Sequence, residues 1–171
     1  MGRPIAGLSG RLQLTPEGIV EELREVRDEP VCGPGRYGRN AAFSHLLICS
    51  RLKHVMNSVG HNYPQARAQC AGNPAYLHPD DLAQLGFASG DLVDIVSEDG
   101  TVPAIVEASD GMRRGTIAMA HAFGGDPKEE ADVRSVGSNV SRLISTTHDY
   151  DPIAGIPRQS AIPVRVRRPA R

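Results

Sequence analysis

The chain has 171 residues, of which 40% are hydrophobic, and its formal net charge at pH 7 is −1. This length predicts one domain with a single core, and the balanced charge argues against non-specific binding to nucleic acids or to anionic membranes. No apolar run approaches the roughly 20 residues of a membrane span, and the N-terminus lacks the apolar region of a secretory signal, so a cytoplasmic protein is the default expectation.

The first predicted element is an amphipathic helix. Thr15 suits its N-cap and Pro16 its first helical position, and Pro30 with the glycine- and proline-rich stretch 33–38 ends it. Its apolar face consists of Ile19, Val20, Leu23 and Val26. We interpret residues 1–42 as this helix and a linker, and we expect the helix to pack on the domain's flank or to dock onto a neighbouring domain.

A buried strand and a polar loop follow. Residues 43–51 form an apolar run that ends abruptly in polar residues, which is typical of a strand whose C-terminal end leads into a site. The stretch from Arg51 to Cys70 is rich in His, Asn, Ser and Arg and shows little periodicity. Such a long connection in a compact domain is usually functional or mobile.

The rest of the chain alternates short strands with turns. A short helix is predicted at 78–86, with Gly86 as its C-terminal stop. Strands are predicted at 92–97, 101–108 and 116–120, separated by glycine-containing turns, and a final strand at 161–167 follows a long loop. Closely spaced strands with short helices predict a mainly β fold, a small β-barrel in a single domain.

The three cysteines, at 32, 49 and 70, are widely spaced and form no CxxC pair. This pattern predicts reduced, partly buried thiols and no zinc or iron–sulfur cage. His54, His61 and Asn62 lie near one another without a cysteine or carboxylate at close range, so we predict no metal site built by the protein.

An ordered series of short motifs begins at residue 73. It consists of 73–82, Leu85-Gly86, Gly90-Asp91, 115–119, 137–140, 151–157 and 163–166, preceded by the strand 47–51. In this order the motifs resemble the molydopterin dinucleotide-binding domain, the C-terminal domain of the dimethyl-sulfoxide-reductase superfamily of molybdopterin oxidoreductases. The resemblance covers residues 43–168, leaves 169–171 as a tail, and implies a double-psi β-barrel.

The resemblance implies a cofactor, molybdopterin guanine dinucleotide. In the family's bis-MGD cofactor, two such dinucleotides hold Mo or W, and this domain binds one of them. In many relatives the first strand ends in Thr-Gly-Arg and an aromatic-His-Thr triplet follows; here Cys49-Ser50-Arg51 and Met56-Asn57-Ser58 stand in the matching places. Phosphates and ring edges require donors, acceptors and close backbone approach. The predicted cofactor-binding residues are Ser50, Arg51, Lys53, Asn57, Ser58, His121, Asn139, Asp151 and Gln159.

Structural alternatives exist for several of these residues. Arg51 is the leading candidate for a phosphate or pterin contact, but it would also suit a solvated strand end. Asn139 would suit a helix N-cap as well as a ring edge, and Asp151 would suit the start of a turn.

The resemblance places the family's metal-ligating side chain in a different domain. The chain alone is therefore not expected to catalyse redox turnover, and its expected partners are the remaining domains or subunits of a molybdopterin oxidoreductase. The alternative is a stand-alone double-psi barrel that binds a protein or a nucleotide. Convergence of Arg51, Asn57 and Asn139 at one end of the barrel would favour the cofactor hypothesis.

Overall fold

A computed structural model describes residues 15–28, 42–61, 63–125 and 132–169. The predicted linker and Cys32 lie outside these residues, as does Asn62. The helices are α1 (Glu17–Asp28), α2 (Pro64–Gln69), α3 (Pro79–Leu85) and α4 (Val133–Val136). The strands are β1 (His45–Ser50), β2 (Ala75–Leu77), β3 (Leu92–Val96), β4 (Thr101–Ala108), β5 (Thr116–Ala120) and β6 (Ser160–Arg167).

The six strands close into a barrel in the order β1, β5, β2, β4, β3, β6. The pairs β1–β5 and β2–β4 are parallel, and the other four pairs are antiparallel. Strands distant in sequence are therefore neighbours, an interleaved order that agrees with a double-psi barrel. The predicted fold class, a mainly β single barrel with short helices, is confirmed.

Alternating residues of the strands fill the interior of the barrel. In β5, for example, Ile117 and Met119 are fully buried, while Thr116 and Ala118 are more exposed. This period of two is the pattern expected of strands with one face in the core. The fully buried large apolar side chains are Leu47, Leu77, Val93, Ile95, Val102, Val106, Ile117, Met119, Val140, Leu143 and Val164.

The predicted helices are confirmed. Helix α3 begins after His78, whose Nδ1 accepts the N–H of Asp80 at 3.1 Å, and it ends at Gly86 with φ +73°.

Helix α1 has no buried residue, and Leu23 and Val26 on its apolar face are 62% and 58% exposed. Docking of this face onto another domain stays a prediction. Within the described part of the chain, no helix combines the length and apolarity needed to cross a membrane.

A buried polar cluster connects α3 to the beginnings of β1 and β5 at one end of the barrel. Asp81 of α3 is 5% exposed, and its carboxylate accepts the N–H of Gly115 at 2.6 Å and Nε of Arg114 at 3.0 Å. Nε2 of His45 lies 3.7 Å from the same carboxylate. Asp81 thus links α3 to the beginnings of β1 and β5, at the end opposite the candidate site.

Candidate cofactor-binding site

The other end of the barrel gathers three polar chain segments. Because β1 and β5 are parallel, with Ser50 paired to Ala120, both strands end there. Because β6 is antiparallel to β1, with Ser160 opposite Ile48, β6 begins there. The predicted residues next to these strand ends therefore emerge at the same end of the barrel; they are Arg51, His121 and Gln159.

His121 links the strand end to the polar loop. The carbonyl oxygen of Ser50 accepts the backbone N–H of His121 at 3.1 Å and faces its Nδ1 at 2.9 Å. The second ring nitrogen, Nε2, lies 3.1 Å from Oδ1 of Asn57. Three of the predicted site residues are thus in direct contact.

The loop 51–60 is anchored by one buried side chain and presents polar groups around it. Val55 is buried against Ala120 and Phe123, while Arg51, Lys53, Asn57 and Ser58 are exposed. Met56 and Val59 exchange two backbone hydrogen bonds of 3.0 Å that close the tip of the loop. In the described part of the chain, the side chains of Arg51, Lys53 and Ser58 have no protein partner, so their donors remain available to a ligand.

Asn139 is held near the same end through the buried Asn73. Nδ2 of Asn73 donates to the carbonyls of Ala120 at 2.7 Å and Ser138 at 2.8 Å, and its Oδ1 accepts the N–H of Ser138 at 2.7 Å. Oδ1 of Asn139 accepts the N–H of Ser141 at 3.0 Å and so caps the 3-10 turn Val140–Leu143. The capping alternative is confirmed, and a role toward a cofactor stays a prediction.

Asp151 and Gln159 lie on the loop that leads into β6. Oδ1 of Asp151 accepts the N–H groups of Ile153 at 2.7 Å and Ala154 at 3.1 Å, so the turn alternative is confirmed. Asp149 and Arg158 close the base of this loop through a backbone hydrogen bond of 2.9 Å. Gln159 is exposed directly before the first residue of β6. Cofactor contacts of both residues remain predictions.

Backbone strain is concentrated at this end. Asn57, Ala122 and Ala161 are the non-glycine residues with positive φ in the described chain, at 54°, 70° and 59°. Ala161 is the extra residue of a bulge where β6 pairs with β1. A left-handed conformation costs an alanine about 1–2 kcal/mol, and strained residues and bulges recur at functional sites.

A cavity of about 390 Å³ adjoins the segment after His121. Its lining includes Ala122, Phe123 and Gly124 together with His61 and Arg67. The ring of His61 contacts Phe123 edge-on at 4.6 Å between centroids, and its buried Nε2 has no partner among the described residues. The volume is within the usual range for small-molecule sites.

Arg67 is absent from the set predicted from sequence. It lies in the last turn of α2, a helix that was not predicted because the stretch shows little periodicity. Pro64 at the first helical position was the available signal for this helix.

The groups of the two segments 50–61 and 120–125 suit an anionic, ring-bearing ligand. These segments contain no acidic residue, whereas the loop before β6 carries Asp149 and Asp151, and Arg51, Lys53 and Arg67 supply positive charge. The Nε2 of His61, which has no partner among the described residues, and the exposed amide of Asn57 add polar contacts for a ring edge. The residues present therefore fit a pterin dinucleotide.

The described part of the chain brings few metal-ligating side chains together. No group of three His, Cys, Asp or Glu side chains converges within residues 15–28, 42–61, 63–125 and 132–169. Burial raises the pKa of the Cys49 thiol to about 11, which keeps it protonated at neutral pH. Cys70 donates its S–H to the carbonyl of Gly72 at 2.8 Å.

The barrel and the convergence of cationic and amide groups at one end define a ligand-binding β-barrel. The chain belongs to the family described as the Molydopterin dinucleotide binding domain, whose model matches residues 46–163. The cofactor of this family is molybdopterin guanine dinucleotide, with molybdenum.

Two comparisons agree with this assignment. The chain is 30% identical, over 102 residues, to the dimethyl sulfoxide/trimethylamine N-oxide reductase of Rhodobacter capsulatus, a match that covers 59% of the chain and 12% of the reductase. Its fold resembles that of the acetylene hydratase from Pelobacter acetylenicus with a TM-score of 0.63 and 20% identity, over 74% of the chain and 18% of the hydratase. The chain thus spans less than a fifth of either relative.

Proposed function

We propose that this chain binds one molybdopterin guanine dinucleotide as a domain or subunit of a larger molybdenum or tungsten oxidoreductase, and that it does not catalyse redox turnover by itself. The observation that carries the proposal is the convergence of Arg51, the Asn57–His121 contact and Asn139 at one end of the barrel. A barrel that only binds another protein does not require these groups to meet. The convergence therefore supports cofactor binding over the stand-alone alternative.

Each group has a role that follows from its chemistry. Arg51 and Lys53 would bind the pyrophosphate, because charged donors give the strongest hydrogen bonds to phosphate oxygens. Asn57, Ser58 and Asn139 would bind ring edges and hydroxyls, which need donors and acceptors side by side. The bound cofactor supplies the electron and oxygen-atom chemistry, and the protein supplies binding and orientation.

The surroundings of the site support a covering protein domain. Met56 and Val59, at the tip of the polar loop, are 70% and 56% exposed. Ile153 and Ile156, on the loop before β6, are 55% and 57% exposed. Apolar side chains clustered around a binding site are typical of an interaction surface. Because the relatives are several times longer than this chain, we propose that the rest of such an enzyme covers these loops. The cytoplasmic location and the domain boundaries stay predictions.

Calorimetry on the full chain tests the proposal. Molybdopterin guanine dinucleotide and its GDP half would be titrated separately into the protein at pH 7.5. We expect the dinucleotide to bind more tightly than GDP, because it adds the pterin contacts. Absence of heat with both ligands, from protein shown to be folded by circular dichroism, would contradict the proposed function.

A further inference from the structure

The cavity after β5 is lined by a different set of residues from the rest of the candidate site. None of the cofactor-binding residues predicted from the sequence is among the described residues that line it. Its described lining comes from α2, the segment 122–125 and α4, and Phe123, which is 4% exposed, supplies an aromatic surface. A phosphate group would occupy only a small part of its volume of about 390 Å³, whereas a flat ring would use both the space and the apolar surface.

Two polar side chains of this lining have unused hydrogen-bonding capacity. Cys70 already donates its S–H to a backbone carbonyl, and the hydroxyl of Ser135 donates to the carboxylate of Asp132. In contrast, Arg67 has no partner among the described residues, and Nε2 of His61 is buried without one. Because a buried polar atom without a partner costs free energy, a ligand that contacts Nε2 of His61 is favoured.

The donor geometry of Arg67 favours one edge of a guanine base. A guanidinium presents parallel N–H groups, which pair with two acceptor atoms that lie side by side. Guanine has such a pair in O6 and N7, whereas adenine has a donating amino group in place of O6. The opposite edge of guanine donates from its ring N–H and amino group, and no acidic residue to accept from it is among the described lining residues.

We propose that Arg67 is a specificity-determining residue that binds O6 and N7 of the guanine base, with the base in this cavity beside Phe123. The proposal rests on the proposed binding of the dinucleotide at this end of the barrel. Nε2 of His61 supplies a further contact to the base. Arg51 and Lys53 bind the pyrophosphate, so different residues contact the base and the phosphates.

Calorimetry with three nucleoside diphosphates tests the choice of base. GDP, IDP and ADP share the ribose and the pyrophosphate, so ratios of their affinities for the full chain report contacts to the base alone. We expect ADP to bind at least about tenfold more weakly than GDP, because its amino group faces the donors of Arg67. IDP lacks only the amino group on the edge that the proposal leaves unbound, so its affinity should lie within about threefold of that of GDP. Affinities of GDP and ADP within threefold of each other, or IDP binding as weak as that of ADP, would overturn the proposal.

Arg67→Gln tests the role of the side chain by changing the preferred base. Glutamine pairs with the amino group and N7 of adenine. GDP should therefore bind about tenfold more weakly to this variant, ADP should bind at least as tightly as to the wild type, and the preference for GDP should disappear. Arg67 is exposed in the last turn of α2, so the variant should fold like the wild type, which circular dichroism checks.

Arg51→Ala is the matched control for the loss of a positive charge. It should weaken GDP and ADP by the same factor and leave their ratio unchanged, because both nucleotides carry the same phosphates. Equal weakening of the two nucleotides in Arg67→Gln would assign Arg67 to the phosphates and would overturn the proposal, as would an unchanged preference for GDP in that variant.

Titration of molybdopterin guanine dinucleotide in parallel separates this inference from the proposed function. If the wild type binds the dinucleotide but does not distinguish GDP from ADP, the role of Arg67 is overturned and the proposed function stands. If the folded wild type does not bind the dinucleotide, the proposed function is contradicted, and the role of Arg67 with it.

Discussion

Asn73 and Ser138 exchange two hydrogen bonds: the Asn73 amide donates to the Ser138 carbonyl at 2.8 Å and accepts its N–H at 2.7 Å. The same NH₂ group donates to the carbonyl of Ala120, at the end of β5. Asn73 is 4% exposed, so these bonds are shielded from water. One buried amide thus ties the segment that carries Asn139 to the end of the barrel.

Replacing Asn73 with leucine should therefore destabilise the fold. The similar volume keeps the site filled, but buried backbone groups at Ala120 and Ser138 lose their partner, and we expect the free energy of unfolding to fall by about 3 kcal/mol. Urea denaturation measures this change. Gln65→Ala, at an exposed position of α2, is the control and should change stability by less than about 0.5 kcal/mol. If Asn73→Leu lowers the free energy of unfolding by less than about 1 kcal/mol, the hydrogen bonds of this amide do not hold the Ser138 segment to the end of β5.

Gly124 should not tolerate a side chain, for reasons of space as well as conformation. Its φ is +69°, and an added Cβ would lie 2.5 Å from the backbone nitrogen of Asn139. Gly86 has a similar φ of +73° but open space around it, so Gly86→Ala is a matched control for the conformational cost alone. We expect about 1 kcal/mol of destabilisation for Gly86→Ala and clearly more for Gly124→Ala, with weaker dinucleotide binding in the latter. Thermal unfolding compares them, and equal melting temperatures would contradict the steric argument.

Asp81 should make stability depend on acid pH. Burial by itself raises the pKa of this carboxyl, but the N–H of Gly115 and the charges of Arg114 and His45 outweigh it, and the net pKa is lowered. A lowered pKa in the folded state gives stability that is present above the unfolded value, near 4, and is lost as pH falls through the folded value.

Replacing Asp81 with asparagine tests this dependence. We expect the variant to be less stable than the wild type by about 1–3 kcal/mol at pH 7, and the difference to shrink below about pH 4. Chemical denaturation at pH 7, 5, 4 and 3 measures the difference in the free energy of unfolding between the wild type and the variant. Asp110→Asn, at an exposed position, is the control and should show no such convergence. A difference that stays constant down to pH 3 would exclude the carboxylate charge as its source.

Arg51 should contribute to binding but little to stability. Its side chain is exposed, so Arg51→Ala should leave the melting temperature nearly unchanged. Loss of a charge-assisted hydrogen bond should weaken dinucleotide binding by about 1–3 kcal/mol. Arg113 precedes β5 at the opposite end of the barrel, so Arg113→Ala removes the same charge and should bind like the wild type. Calorimetry at fixed salt concentration measures dinucleotide binding by both variants. Similar losses in both would indicate a general effect of net charge.

Local sequence patterns predicted the longer elements but neither the short ones nor the assembly of the barrel. The strands at 92–97, 101–108 and 116–120 were predicted nearly to the residue, because turn residues bound them and their apolar residues recur. β2 has only three residues, too few for a recognisable alternation. The parallel pairing of β1 with β5 depends on contacts between distant parts of the chain, which no local pattern reports.

The sequence predicted individual residues of the candidate site but not which of them contact one another. The resemblance named Asn57 and His121 separately, and only the fold brings their side chains to 3.1 Å. Arg67 was missed because its position facing the cavity depends on α2 and on the segment after β5, which are remote in sequence. Asn139 was correctly predicted as a possible cap, because capping depends on its nearest neighbours.

The interleaved strand order has a consequence for the rate of folding. β1 pairs with β5 and β6, so Leu46 must find both Thr116 and Pro163. Each of these pairings closes a long loop of chain before any contact energy compensates the lost entropy, and domains dominated by such distant contacts fold in milliseconds to seconds rather than microseconds. Before β6 pairs with β1 and β3, each of these two strands exposes an unpaired edge. Folding intermediates at this stage would be the ones most prone to associate with one another.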